Sequence, residues 1–124
     1  MIARALWRGD VSVTLPERGC AGGQGLVHVV WEFRIRPEKR LAFETHYSSE
    51  GSWVVLFRRS QDFLGTSLVQ DADDSNRYLT IDRWTTLRAY DTFREITKEE
   101  YAILDSACEE LTVEEHLVGR FEDR

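Results

Sequence analysis

From Leu26 onward, apolar and polar positions alternate with a period of two. Val27, Val29, Trp31, Phe33 and Ile35 fall on one side of an extended chain, and His28, Glu32, Arg34 and Arg36 on the other. This predicts a first strand. Pro37 closes it and suits a first helical position, where its missing N–H is no loss. The spacing then predicts a helix over residues 38–47, with Leu41, Phe43 and Tyr47 inward and Glu38, Lys39, Arg40 and Glu44 outward. Gly51 interrupts it. Ser52 is placed to cap a second helical piece in which Trp53, Leu56 and Phe57 recur at helical spacing, and Arg58 and Arg59 suit its C-terminal dipole end.

Residues 63–71 read as a second strand, with Gly65 marking a bulge or a close backbone approach. A polar turn over 71–76 leads to a third strand over 77–84, where Leu79, Ile81 and Arg83 alternate with Tyr78, Thr80, Asp82 and Trp84. Strands two and three therefore form an antiparallel hairpin. Thr85 or Thr86 caps the next helix, which presents Leu87, Tyr90, Phe93 and Ile96. Thr97 and Glu100 have capping-box spacing and open a last helix striped by Tyr101, Leu104, Cys108 and Leu111. Residues 112–121 form the final strand, with Val113, Leu117 and Phe121 set against Glu114, His116 and Arg120. The order is β-α-β-β-α-β, each helical arm in two pieces: an α+β, ferredoxin-like fold with a four-stranded antiparallel sheet and helices on one face. Val30 and Val118 leave apolar surface on the other face, which a second copy of the chain would cover, giving a homodimer.

A length of 124 residues suits one domain. Residues 1–25 read differently, with Pro16, Gly19, Gly22, Gly23 and Gly25 crowding the stretch before Leu26 and only Val11, Val13 and Leu15 in period. They are expected to be an N-terminal appendage: residues 11–15 an edge strand or a cover for the partner subunit, residues 17–25 a flexible connector. A misassigned start or a disordered tail is the alternative reading. The domain proper is 26–124. Cys20 and Cys108 lie far apart without metal-type spacing, which fits two thiols in a reducing, cytoplasmic compartment. The net charge of −6 and the lack of a basic run argue against nucleic acid as a partner. Residues 1–7 are too short and too charged for a signal-peptide core, and no apolar run approaches a membrane span.

Three stretches carry a resemblance: "VVWEFRIRPEKRLAFETHY", "YLTIDRWTTLRAYDTF", in which a strand ends in Trp and a helix starts at once, and "LTVEEHLVGRFE". They mark a stretch from about Val27 to Phe121 that resembles the antibiotic biosynthesis monooxygenase family. The resemblance implies a dimeric α+β barrel made by packing two four-stranded sheets, with a cavity in each subunit between sheet and helices. It further implies oxidation of polycyclic phenols or quinols by dioxygen with no metal or flavin, the substrate itself supplying the electrons. Such a site must bind an aromatic, favour its deprotonated form and shield the intermediate from water. Haem-degrading relatives on the same fold combine a strand-one Asn with the strand-three Trp and a helical His. This chain has no Asn in strand one and no His in residues 87–111, so haem chemistry is disfavoured.

Trp84 occupies the place of the family's strand-three Trp, and the resemblance makes it a flat wall or hydrogen-bond donor beside a planar substrate. A core Trp fixing the strand-to-helix corner is the structural alternative. Tyr78, Asp82 and Trp84 share one face of the third strand, supplying aromatic surface, an acid or base and an indole donor if that face lines the cavity. Phe43 and Tyr47 of the first helix would complete the lining. His28 and Glu32 share a face of strand one, about 13 Å apart by strand rise, so they cannot pair directly. Either could act as a base toward a phenol, His28 being the better match near neutral pH. A place in the dimer seam, with Arg34 and Arg36 balancing Glu32, is the structural reading. The candidates are thus Trp84, Asp82 and His28 for catalysis, and Tyr78, Trp84, Phe43, Tyr47 and Glu32 for substrate binding.

No metal site is expected. His46 and Glu50 stand four apart but lack a third ligand, and His116 beside Glu114 and Glu115 meets the same objection, since adjacent strand residues point to opposite faces. Three function classes remain open: a cofactor-independent monooxygenase for an aromatic or quinol-type molecule, a non-catalytic binding or stress-related dimer, and a structural domain. An open pocket of roughly 300 Å³ or more with converging polar groups favours a ligand. An interior plugged by Trp53, Phe57 or Trp84 favours a structural role.

Overall fold

The computed structural model of the chain describes residues 25–124. Strict alternation becomes β1 (Val27–Ile35), whose odd-numbered side chains are all buried. Pro37–Lys39 form one 3-10 turn, and α1 (Arg40–Tyr47) follows directly. After α2 (Ser52–Phe57) come β2 (Phe63–Gln70) and β3 (Arg77–Trp84). Two further helices, α3 (Leu87–Ile96) and α4 (Lys98–Cys108), then lead through a 3-10 turn at Glu109–Leu111 into β4 (Thr112–Glu122). The strands form one four-stranded antiparallel sheet in the order β2-β3-β1-β4, the ferredoxin-like arrangement. The appendage expected over residues 1–25 lies, apart from Gly25, outside the described residues.

The helices cover the face that carries Val27, Val29, Trp31, Phe33 and Ile35, and the core is a continuous cluster of these with helical aromatics. Phe33 meets Phe43 and Tyr47 with ring centroids 5.4 and 4.9 Å apart, which locks α1 onto β1. Large rings dominate because each buries on the order of 150–250 Å² and prefers such edge contacts.

Several local expectations change. Leu41, expected inward, is 79% exposed, because it stands two residues from Phe43 and so about 200° around the helix. Ile96, at the last residue of α3, is 73% exposed. The Thr97 capping box does not form, since its hydroxyl donates back to the Phe93 carbonyl at 2.8 Å. Thr86 does cap α3, accepting from the Ala89 N–H at 3.0 Å. Gly51, rather than Ser52, is the residue before α2, and the Ser52 hydroxyl bonds His46 Nδ1 at 2.7 Å.

In β4 the register slips opposite Val30/Trp31 and Arg34/Ile35, so Val113 and Val118 are extra residues. Each bulge reverses the alternation. Leu117 packs on the core, while Val113 and Phe121, expected beside it, are exposed on the other side. Gly65 sits at the register shift in β2 with φ 138°, the bulge that its place in the strand predicts.

The outer face of the sheet carries Val30, Leu79 and Ile81, half-buried, with Val69, Val118 and Phe121 more exposed beside them. Among the described residues no helix is long and apolar enough to cross a membrane.

Candidate functional site

The inner side of β3 is a row of buried residues, Tyr78, Thr80, Asp82 and Trp84. Register decides which side this is. Val29 and Thr66 stand opposite Asp82, and Val27 and Phe63 opposite Trp84, so the row shares the core-facing side. Tyr78 and Trp84 are six residues apart, about 20 Å along the strand. One small ligand cannot touch both.

At one end, the Trp84 ring is ringed by Phe57, Phe63, Tyr90 and Phe93 at 5.3–5.7 Å. Among the described residues its buried indole N–H has no hydrogen-bond acceptor, and the buried Thr80 hydroxyl has no partner. At the other end, Phe43 stacks on Tyr47 at 4.4 Å and meets Tyr78 at 4.9 Å. The Tyr78 hydroxyl donates to Glu44 at 2.5 Å and accepts from Arg40 at 3.1 Å and Gln70 at 3.2 Å. Burial first, and the Glu44 bond second, push this phenol up from its usual 10.0. Tyr78 is therefore a fixed neutral donor at physiological pH, unsuited to act as a base.

Asp82 lies between these ends and is only 2% exposed. A buried carboxylate is costly unless hydrogen bonds replace its water. Thr66 of β2 supplies one, its hydroxyl donating to Asp82 Oδ1 at 2.6 Å.

His28 and Glu32 do not join this group. They occupy the outer face of β1, with the sheet between them and Asp82. His28 Nε2 bonds Asp123 at 2.7 Å. Glu32 is held by Arg77 Nε at 2.6 Å and lies 3.0 Å from His116 Nε2. The Arg77 hydrogen bond is the main reason its carboxyl falls below 4.5, against the opposing effect of burial. Within the chain Arg34 pairs with Asp74 at 2.7 Å and adds a weaker attraction to Glu32, while Arg36 donates to the Glu110 carbonyl. His46 and Glu50 are likewise apart, because α1 ends at Tyr47 and Glu50 turns to Arg58 at 3.1 Å. Among the described residues no group of three or more His, Cys, Asp or Glu is arranged to hold a metal ion.

The interior between sheet and helices is filled by rings. Phe57 alone stands 5.3–6.4 Å from Trp53, Phe63, Trp84, Phe93 and Tyr101. Open volume lies instead at the edge of β2. A recess of about 480 Å³ is bounded by Glu44, Ser48 and Ser49 on the α1 side and by Thr66, Ser67, Leu68 and Val69 of β2. It is a shallow recess open to solvent rather than an enclosed cavity, though its volume is comparable to that of small-molecule sites. Two of its lining residues reach the buried row directly, Glu44 bonding Tyr78 and Thr66 bonding Asp82. A larger recess of about 570 Å³ near Arg36 and Glu109 holds none of the candidate residues.

Thr66 and Glu44 were not singled out from the sequence. Thr66 was within reach of it, because the hairpin that pairs Gln70 with Tyr78 also pairs Thr66 with Asp82. Glu44 was not, since only packing brings that side of α1 over Tyr78.

The sequence model of the antibiotic biosynthesis monooxygenase family matches residues 26–97, more than half of the chain. No curated protein matches in sequence. Solved structures do match in fold. SnoaB, a cofactor-independent oxygenase from Streptomyces nogalater, is 21% identical with a TM-score of 0.59, covering 81% of this chain and 94% of its own. Protein SO0527 from Shewanella oneidensis is 16% identical with a TM-score of 0.60, covering 81% and 92%. PA3566 from Pseudomonas aeruginosa is 16% identical with a TM-score of 0.60, covering 84% and 99%. Identities this low speak to the fold and leave the reaction to the site.

Proposed function

The chain belongs to the antibiotic biosynthesis monooxygenase family, and from that premise we propose that it is a cofactor-independent monooxygenase for an aromatic or quinol-type small molecule. The observation that carries this reading is the β2-edge recess, where Thr66 links open volume to the buried carboxylate of Asp82 at 2.6 Å. A phenol with a free ring carbon can supply all the electrons required. Its O–H and one C–H are lost, one oxygen atom becomes the new carbonyl of a quinone, and the other leaves as water with those two hydrogens.

The protein's share is to hold the ring, take the phenolic proton and exclude solvent. Asp82 is the base. Trp84, next but one along the strand, is enclosed by Phe57, Phe63, Tyr90 and Phe93 and backs the site as core, outside the recess lining. Tyr78, with Phe43 and Tyr47 packed behind it, anchors Glu44 at the rim. His28 and Glu32 belong to the outer sheet face, where a second copy of the chain packs to make a dimeric barrel in a reducing cytoplasm.

Oxygen uptake with a panel of hydroquinones and anthrols in chelator-treated buffer tests the reading. Turnover in the wild type and a loss of roughly 100-fold in Asp82→Asn are expected. A second reading, a structural domain whose interior is filled by its own side chains, is favoured by the ring packing around Phe57 and Trp84. No oxygen uptake and no rise in melting temperature with any aromatic of the panel would select it.

A further inference from the structure

Asp82 presents a difficulty for any ligand in the recess. At 2% exposure it cannot be touched from solvent, and it is not among the residues that line the open volume. Thr66 is in that lining and bonds the carboxylate. A hydroxyl carries one proton and two lone pairs. Here the proton is committed to Asp82 Oδ1, at a distance typical of an O–H facing an ionised carboxylate. What the hydroxyl has left to offer is acceptor capacity, so it selects for a ligand that donates.

We infer that Thr66 is the group through which this site takes a proton from its substrate. The inference rests on the reading of Asp82 as the base and narrows the substrate to a hydroxylated aromatic presenting its O–H at the β2 edge. In the step, the substrate O–H bond breaks and its proton goes to Thr66 Oγ1, whose own proton passes to Asp82 Oδ1. The products are a phenolate, a neutral Asp82 and a Thr66 with its hydroxyl restored, so no oxidant or reductant is consumed. Leu68, also in the lining, gives the ring an apolar surface. Its cross-strand neighbour Thr80 lies two residues from Asp82 on the same side and keeps a buried hydroxyl with no partner, a donor left over for a second ligand oxygen.

The test uses 4-nitrophenol, whose ionised form is coloured, with the full-length wild type, Thr66→Ser and Thr66→Val. Bound probe is expected to be coloured at a pH where the free probe is not, in the wild type and Thr66→Ser. In Thr66→Val that coloured fraction should fall about tenfold or more. Oxygen uptake with anthrols should fall roughly 100-fold in Thr66→Val and stay within about threefold in Thr66→Ser. Should the valine variant not fold, Thr66→Ala, which deletes the hydroxyl and leaves Asp82 in place, should show the same loss of colour. A Thr66→Val protein that ionises the probe like the wild type overturns the relay, as does a wild type that does not bind the probe. Probe ionisation that depends on Thr66, without oxygen uptake by any phenol, supports the relay and instead overturns the monooxygenase.

Discussion

Arg77 and Glu32 close a 2.6 Å ion pair diagonally across the outer face of the sheet, although the residue directly opposite Glu32 is Leu79. The same guanidinium also holds Asp71 at 2.9 Å, and Asp71 accepts the Asp73 N–H at 2.7 Å. Arg77 thus ties the end of β1 to the turn between β2 and β3.

The pair makes stability depend on acid. Glu32 is lowered chiefly by Arg77, Asp71 chiefly by the Asp73 N–H and then by Arg77, and Asp74 chiefly by Arg34. A carboxyl lowered in the folded state contributes stability above its unfolded value, 4.5 for Glu and 3.8 for Asp, and loses it as pH falls through the folded value. The melting temperature should therefore decline as the protein is acidified through and below that range. Arg77→Met should lower it at neutral pH and flatten the acid decline, as thermal unfolding across pH 2–7 in steps of about one unit will read.

Tyr78→Phe removes a hydroxyl that serves Glu44, Arg40 and Gln70 together. Leaving those groups without their shared oxygen should cost about 1–3 kcal/mol in chemical denaturation. Because Tyr78 stays protonated, the pH profile of any turnover should keep its shape near neutrality in this variant.

Two glycines should fail for different reasons. A Cβ on Gly51 would lie 2.4 Å from the His46 carbonyl oxygen and 2.6 Å from that of Thr45, so Gly51→Ala must push α2 away from α1. Gly65 has open space but φ 138°, so Gly65→Ala meets only backbone strain. Losses of about 1–3 kcal/mol are expected for each. Only Gly51→Ala should also disturb near-ultraviolet circular dichroism from the Tyr47 and Trp53 rings.

Phe57→Ala deletes a ring that five others touch. A loss of about 3–5 kcal/mol is expected from the transfer and cavity terms. Small aromatics such as indole should recover part of the melting temperature, which a differential scan will show.

On the outer face, Ile81 and Val30 sit directly opposite one another. The proposed dimer would cover them, and sedimentation at micromolar concentration should give about twice the chain mass. Ile81→Glu should return the monomer while leaving far-ultraviolet circular dichroism in place, because its side of the sheet is not the helix-covered one.

Strand parity was legible where alternation ran unbroken, as in β1 and β3, whose buried residues fall in the sets the period groups together, although in β3 only register decides which set is buried. It was lost in β4, because an extra residue at Val118 turns Phe121 away from Leu117 and nothing in the local composition marks the slip. Glycine marks such a position in β2, where Gly65 could be anticipated. The failed capping box has a similar cause, since Thr97 has two local partners to choose between and burial against Phe93 favours the carbonyl behind it.

By itself the sequence determined the element order, the helix-covered side of β1 and the company of Tyr78, Asp82 and Trp84, because each follows from the periodicity of one short segment. Only the tertiary structure decided that His28 and Glu32 lie across the sheet from Asp82, that Thr66 rather than a histidine bonds that carboxylate, and that the open volume lies at the β2 edge. Those facts depend on hydrogen-bond register between strands and on how bulky rings fill the space under the helices. A periodic pattern states which residues in one strand face together. It does not state which faces of separate strands meet, or where packing leaves room.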